Sequence, residues 1–284
     1  MMVPALMVLV WCAAADAPAG GTAGPNNVVR IALMRAVPEK WEVEKNFQVF
    51  LRLIETASQQ RADVFVTPEG WLDGYAAAHE ASTPDKLHTI AQPLESSAYL
   101  REVSEQARSR SMMICFGFTS LENGKLYNSA GLWGEDGRLI GVYHKTHLQK
   151  HDLQFSPGES LPVWRTRCGI LGIMICADRR WPETARTLRL RGARLILNPT
   201  YGFHGEFNEA MMRTRSFENQ CFIAFAHPSE SLVTGPDGKI ILKETGETPG
   251  VAVCEVDLSR AKNNNHIEDR RPELYGVIAE TTVR

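Results

Sequence analysis

The sequence predicts an α/β protein made of two internally similar halves, each a β-sheet covered by helices. Three observations carry this expectation. Short continuous apolar runs of strand length recur along the chain, as buried parallel strands read. Segments with apolar residues at three- and four-residue steps alternate with them, as helices with one buried stripe read. The order strand, helix, strand, helix, strand, hairpin occurs twice with no linker between the halves, which argues for one domain over residues 26–284.

The elements follow in order. Residues 28–34 (VVRIALM) form a first strand, and Pro38 opens a helix whose stripe is Val43, Phe47, Phe50, Ile54 and Ala57. A short strand at 62–67 runs into Pro68-Glu69-Gly70-Trp71. A helix over about 94–109 places Leu100, Val103 and Ala107 on one side, and a strand follows at 112–118. Residues 126–133 and 138–143 make a hairpin around Gly134-Glu-Asp-Gly137, a turn signal. The second half starts with a strand from 170 to Cys176 and a helix at about 182–191. A strand at 193–198, a helix at about 206–220, a strand at 221–227, a hairpin around Pro236-Asp-Gly-Lys239 and a last strand at 250–256 complete it.

Bulk composition excludes some functions. With 44% hydrophobic and 23% charged residues the 284-residue chain has an ordinary globular composition. A formal net charge of −2 gives no electrostatic basis for binding nucleic acid or an anionic membrane. The first 11 residues are almost wholly apolar and a run of small residues follows. Residues 1–25 therefore read as a secretory signal peptide with its linker, too short for a stable membrane span, and imply an exported protein. A start codon placed too early is the alternative and would leave the protein cytoplasmic. Beyond the leader, Cys115, Cys168, Cys176, Cys221 and Cys254 form neither a disulfide framework nor a metal-ligand spacing. No metal and no cofactor is expected.

Three residues sit just past apolar strands: Glu69, Lys145 and Cys176. Sites in α/β sheets are built at such ends. Each alone has a bland reading: a loop carboxylate, an exposed charge, a cysteine packed as a small hydrophobe. Together they are the types that nucleophilic chemistry needs. A thiol requires a proton acceptor, and an ammonium can stabilise both thiolate and oxyanion.

The blocks around them, Pro68-Glu69, His144-Lys-Thr-His-Leu148 and Cys176-Ala-Asp-Arg-Arg-Trp-Pro-Glu183, resemble the three signature blocks of the nitrilase superfamily of carbon–nitrogen hydrolases. The order matches, with 76 residues from Glu69 to Lys145 and 31 from Lys145 to Cys176. Arg213-Thr-Arg-Ser-Phe-Glu-Asn219, Gly235-Pro-Asp-Gly-Lys239 and Arg270-Arg-Pro-Glu-Leu-Tyr-Gly276 extend the resemblance over residues 28–276.

The resemblance implies a four-layer α-β-β-α sandwich, paired into a homodimer or higher homo-oligomer. It implies Glu69 as general base, Cys176 as nucleophile and Lys145 as oxyanion stabiliser, with the Ala177 N–H as a second donor. A thioester intermediate would form and water would release the acid. The implied substrate is a small linear amide or N-carbamoyl compound. A nitrile is the enzymatic alternative, and a non-catalytic binding protein that keeps the fold is the alternative from another class.

Departures from the family pattern concentrate after Lys145. The family's second glutamate, four residues before the Phe155-Ser-Pro-Gly158 turn, would fall on His151, with Asp152 one step away as its substitute. Ala177 is smaller than the tyrosine many members carry, which widens the expected pocket. The segment 226–233 is short, which opens one wall. Tyr201, at a strand end, is expected to contact substrate. Asp178, Arg180 and Glu183 are expected to brace the nucleophile, and Arg270 and Arg271 to clamp the tail.

Overall fold

A computed structural model describes residues 27–280. The leader read as a signal peptide lies outside them. The first strand is β1 (Val28–Arg35), and helix α1 (Val43–Gln59) follows. The helix starts at Val43 rather than at Pro38, because Trp41 takes a left-handed φ of 71° and Asn46 turns back to bond the Glu39 backbone. Next come β2 (Val64–Val66), a helix α2 (Pro84–Ile90) that the sequence reading left out, and the two-residue strand β3 (Gln92–Pro93). Helix α3 (Ala98–Arg110) begins four residues later than expected, where the Ser97 hydroxyl accepts the Leu100 N–H as an N-cap. Strands β4 (Met113–Glu122), β5 (Lys125–Trp133) and β6 (Leu139–His144) are the expected strand and hairpin.

The second half runs β7 (Val163–Thr166), β8 (Gly169–Ile173), α4 (Pro182–Leu190), β9 (Leu195–Pro199), α5 (Glu206–Asn219), β10 (Phe222–His227), β11 (Glu230–Thr234) and β12 (Ile240–Thr245). The last strand, β13 (Gly250–Asp257), does not stay with this half. It crosses back and pairs antiparallel with β1, from Val28 opposite Asp257 to Arg35 opposite Gly250. A short helix α6 (Asn265–Glu268) and 3-10 turns lead to the tail.

One sheet has the order β13-β1-β2-β4-β5-β6 with β3 beside β4, and the other β12-β11-β10-β9-β8-β7. The alternating strand pattern sorts side chains between two interfaces. Val29, Ile31, Leu33, Val64, Val66 and Leu132 meet Leu171, Ile173, Leu195, Leu197 and Phe222 between the sheets. The opposite faces take the helices: Phe47, Phe50, Ile54, Leu100 and Val103 pack on Phe65 and Phe116 of the first sheet. Ala185, Leu188 and Met212 pack on Ile196 and Phe225 of the second. The layers are therefore α-β-β-α, as expected. Among the described residues no helix is long and apolar enough to cross a membrane.

Candidate active site

Glu69 stands two residues past the Thr67 that follows β2, and its backbone is held by close packing rather than by a helix. The Thr67 hydroxyl accepts the Gly117 N–H and donates to the Pro68 carbonyl, tying the loop to β4. Lys145 leaves β6 at once, and its carbonyl accepts the Gly158 N–H at 2.9 Å. A Cβ on Gly158 would lie 2.1 Å from the His144 carbonyl oxygen. Only glycine lets the Phe155-Ser-Pro-Gly158 turn approach the lysine backbone this closely.

Cys176 does not end the strand as the sequence suggested. Strand β8 stops at Ile173, and Cys176 opens a 3-10 turn over Cys176–Arg180 with φ of +44°. A non-glycine residue in this region is strained and is held there by its surroundings. Asp178 supplies much of that hold. Its carboxylate accepts the Ile175 N–H at 2.9 Å, the Tyr143 hydroxyl at 2.7 Å and, from the lysine segment, the His147 N–H and Thr146 hydroxyl at 3.0 Å. One buried carboxylate thus fixes the cysteine turn against the strand that presents Lys145.

The side chains of Glu69, Lys145 and Asp152 are wholly buried. The Lys145 ammonium donates to Glu69 Oε1 at 2.8 Å, to Asp152 Oδ2 at 2.6 Å and to the Tyr75 hydroxyl at 3.3 Å. Burial opposes its charge, but Glu69, Cys176 and Asp152 outweigh that and hold the ammonium well above the usual lysine range. Glu69 also accepts from Asn128 Nδ2 at 2.9 Å and from the Tyr201 backbone N–H at 3.0 Å. That same N–H faces the Cys176 sulfur, so it bridges carboxylate and thiol. A Cβ on Gly202 would come within 3.0 Å of Sγ. The thiol is 6% exposed. Burial and the Glu69 charge push it up, against the pull of Lys145 and Arg179, so the resting group is a thiol beside the Glu69 carboxylate rather than a standing thiolate.

Of the residues singled out from the sequence, Glu69, Lys145, Cys176, Ala177, Asp152 and Tyr201 all come together here. Asp152 is no ordinary loop carboxylate: it also accepts the Tyr75 hydroxyl at 2.6 Å and the Gln149 N–H at 3.0 Å. His151, at the family's glutamate position, contacts Tyr75 Oη through Nε2 at 2.8 Å. Tyr201 reaches the site through its backbone, while its ring packs 5.4 Å from that of Tyr75.

The expected brace is half right. Asp178 is buried in it, but Arg180 bonds outward to Gln149 Oε1 and Glu183 is exposed. The buried cation is Arg179, whose Nη1 lies 3.5 Å from Cys176 Sγ. Among the described residues no ion pair ties Arg270 or Arg271 to the body: Arg270 covers the Tyr275 ring and Arg271 pairs with Glu273, both within the tail. Sequence reasoning missed Tyr75, which follows the Asp73-Gly74 turn and sits at a φ of +52°. Among the described residues no cluster of ligating side chains could hold a metal ion.

His227 supports the Tyr201–Gly202 segment from behind. Its Nε2–H donates to the carbonyls of Gly202 at 2.9 Å and Tyr201 at 3.1 Å, while Nδ1 accepts the Ser229 N–H. Burial, with His204 beside it, pushes this imidazole down to about 4. An unfolded histidine titrates near 6.5, so between roughly 6.5 and 4 the unfolded chain binds the extra proton. Stability from this group is present above about pH 6.5 and is lost as pH falls, by roughly 3 kcal/mol at most. His227→Gln mimics the neutral tautomer and is expected to flatten the fall in melting temperature over that interval. Parallel curves for variant and wild type would refute the assignment.

The comparisons with known proteins bear on this geometry. The sequence model of one protein family, described as carbon-nitrogen hydrolase, matches residues 30–264. A nitrilase of Pyrococcus abyssi is 30% identical over 87% of this chain and 99% of its own length. An (R)-stereoselective amidase of Pseudomonas sp. is 26% identical over 87% of this chain and 93% of its own. An amidase from Nesterenkonia sp. AN1, solved as a double mutant in complex with acrylamide, superposes with a TM-score of 0.74 at 24% identity, covering 90% of this chain and 98% of that one. The chain thus belongs to the carbon–nitrogen hydrolase family, within the nitrilase superfamily, and is a carbon–nitrogen hydrolase.

Proposed function

We propose that the protein hydrolyses a small linear amide or an N-carbamoyl compound through a Glu69-Lys145-Cys176 triad and a thioester. The observation that carries this reading is the buried ion-pair cluster, with Lys145 Nζ 2.8 Å from Glu69 Oε1, closed on its other side by the strained Cys176 turn. Glu69 takes the thiol proton as Sγ bonds to the substrate carbon, and the carbonyl π pair moves onto oxygen. The proton then passes to the leaving nitrogen as the C–N bond breaks. Water, deprotonated by Glu69, attacks the thioester, and the returning proton restores the thiol.

The resting ammonium spends all three of its N–H groups on Glu69, Asp152 and Tyr75. The developing oxyanion therefore takes the place of the longest of these, the 3.3 Å bond to Tyr75 Oη, with the Ala177 N–H as second donor. Asp152 keeps the ammonium charged and aimed. Asp152→Asn keeps the shape but removes the charge, and turnover is expected to fall roughly tenfold or more; an unchanged kcat would remove Asp152 from the mechanism.

Relatives named amidase and nitrilase both occur, so the substrate test is a panel of amides, N-carbamoyl amino acids, ureido acids and nitriles. Ammonia release by wild type and not by Cys176→Ala is the expected result. An inactive panel with a fold stabilised by one of its members would favour the binding-protein reading. Exposed apolar residues on the α4–α5 face and tail, among them Phe217, Leu274, Val277 and Ile278, support a homo-oligomer.

A further inference from the structure

We propose that Arg179 is a second catalytic cation, the partner that receives the negative charge of Cys176 when its proton leaves. This rests on the triad reading above and extends it to a residue outside the triad.

The guanidinium is wholly buried. Its Nε donates to Asn208 Oδ1 at 2.7 Å, its Nη2 to the Phe203 carbonyl at 2.6 Å, and its Nη1 points at Cys176 Sγ from 3.5 Å. The Phe203 ring lies 4.3 Å from its Cζ and the Phe225 ring 5.5 Å. Among the described residues no carboxylate lies within ion-pair distance of it. A buried charge without an opposite charge is costly, and two neutral acceptors with two aromatic faces fix its place without neutralising it. The thiol is the group beside it that can become an anion.

The charges of the site then balance before and after the proton moves. In the resting state Glu69 and Asp152 are negative and both touch Lys145, while Arg179 faces a neutral thiol. Transfer of the proton from Sγ to a Glu69 oxygen moves one negative charge from the lysine side of the site to the sulfur, where the guanidinium already waits. The same contact favours sulfur again when the tetrahedral adduct of thioester hydrolysis breaks its C–S bond and the electron pair returns to Sγ. Without Arg179, Lys145 would face Asp152 and the thiolate alone.

The sequence gives this residue no prominence, because Arg179 and Arg180 are adjacent and identical in type. The 3-10 turn separates them: Arg179 points inward beneath the nucleophile, and Arg180 points out to Gln149.

The test measures carboxamidomethylation of Cys176 by iodoacetamide against pH, with Cys176→Ala as the background for the other thiols. The groups facing Sγ that set this profile are Glu69, Lys145, Tyr75 and the Tyr201 N–H besides Arg179. An adjacent opposite charge lowers a pKa by about one to three units, so Arg179→Met is expected to shift the profile up by about one unit or more and to slow alkylation at pH 7 about tenfold. Arg179→Lys, which keeps the charge, should recover part of that rate. Superposable profiles for wild type and Arg179→Met would overturn the proposal, as would a Lys variant displaced as far as the Met variant. Should Arg179→Met not fold, Arg179→Gln replaces it with the same two readings. The alkylation rate needs no turnover, so its outcome is separate from the triad reading, which falls if Cys176→Ala still releases ammonia.

Discussion

Replacing Cys176 with alanine is expected to lower turnover by roughly 10⁴- to 10⁶-fold, the range seen when a nucleophile is removed from a working constellation. The loss should fall on kcat, because Glu69, Lys145 and Asp152 remain in place to bind substrate. Stability should hardly move. The cysteine is 6% exposed, its sulfur makes only weak contacts with Arg179 at 3.5 Å and with the Tyr201 N–H, and an alanine at φ +44° carries the same backbone strain. Ammonia release together with a thermal melt separates the two effects. A folded Cys176→Ala protein that keeps even about a hundredth of wild-type turnover would exclude covalent catalysis at this residue.

Lys145→Leu should damage both activity and fold. The wild-type ammonium separates two wholly buried carboxylates, Glu69 and Asp152, at 2.8 and 2.6 Å. Removing it leaves both uncompensated in a low-dielectric interior, which costs about 3–5 kcal/mol. Adding Asp152→Asn to Lys145→Leu deletes one of the stranded charges. The double variant should therefore melt above Lys145→Leu while staying inactive, a coupling that a double-mutant cycle reads directly. If Asp152→Asn lowers the melting temperature equally with and without Lys145, the pair does not interact and the charge argument fails. Activity that returned with stability would show that Lys145 is structural only.

The residues proposed to carry the chemistry were more legible in the sequence than the groups that position them. Glu69, Lys145 and Cys176 stand out because each interrupts an apolar run and the chemistry constrains residue type. Asp152 was legible only as a possibility, since a one-residue offset in a loop decides whether its side chain points into the site. Tyr75 and Arg179 were not legible. Tyr75 reaches the centre because the chain turns left-handed after Gly74, with φ of 74° and 52° at the two residues. Asp73-Gly74 signals a turn, but nothing in it specifies that Tyr75 is left-handed as well. Arg179 differs from Arg180 only in where a 3-10 turn aims it. The helices with a clean apolar stripe, α1 above all, were found with the right buried face, though their first residues were placed too early. Helix α2 was not, because a seven-residue helix with Leu87 as its one buried residue has no period to detect. Its signal is local instead: a Thr83 cap followed by Pro84 at the first helical position.

The return of β13 to the first sheet bears on how the protein comes into being. Residues 250–257 are made long after residues 28–35, yet they complete the sheet that those residues begin. The first half cannot close its own edge, and the site stays incomplete until segments of the second half are in place. Glu69, Lys145 and Asp152 come from the first half of the chain, Cys176 and the Tyr201 N–H from the second. Pairings of such long sequence separation are reached slowly. The nucleophile therefore joins the buried charge cluster only when the second half docks on the first, and hydrolytic activity reports that docking more faithfully than helix content does.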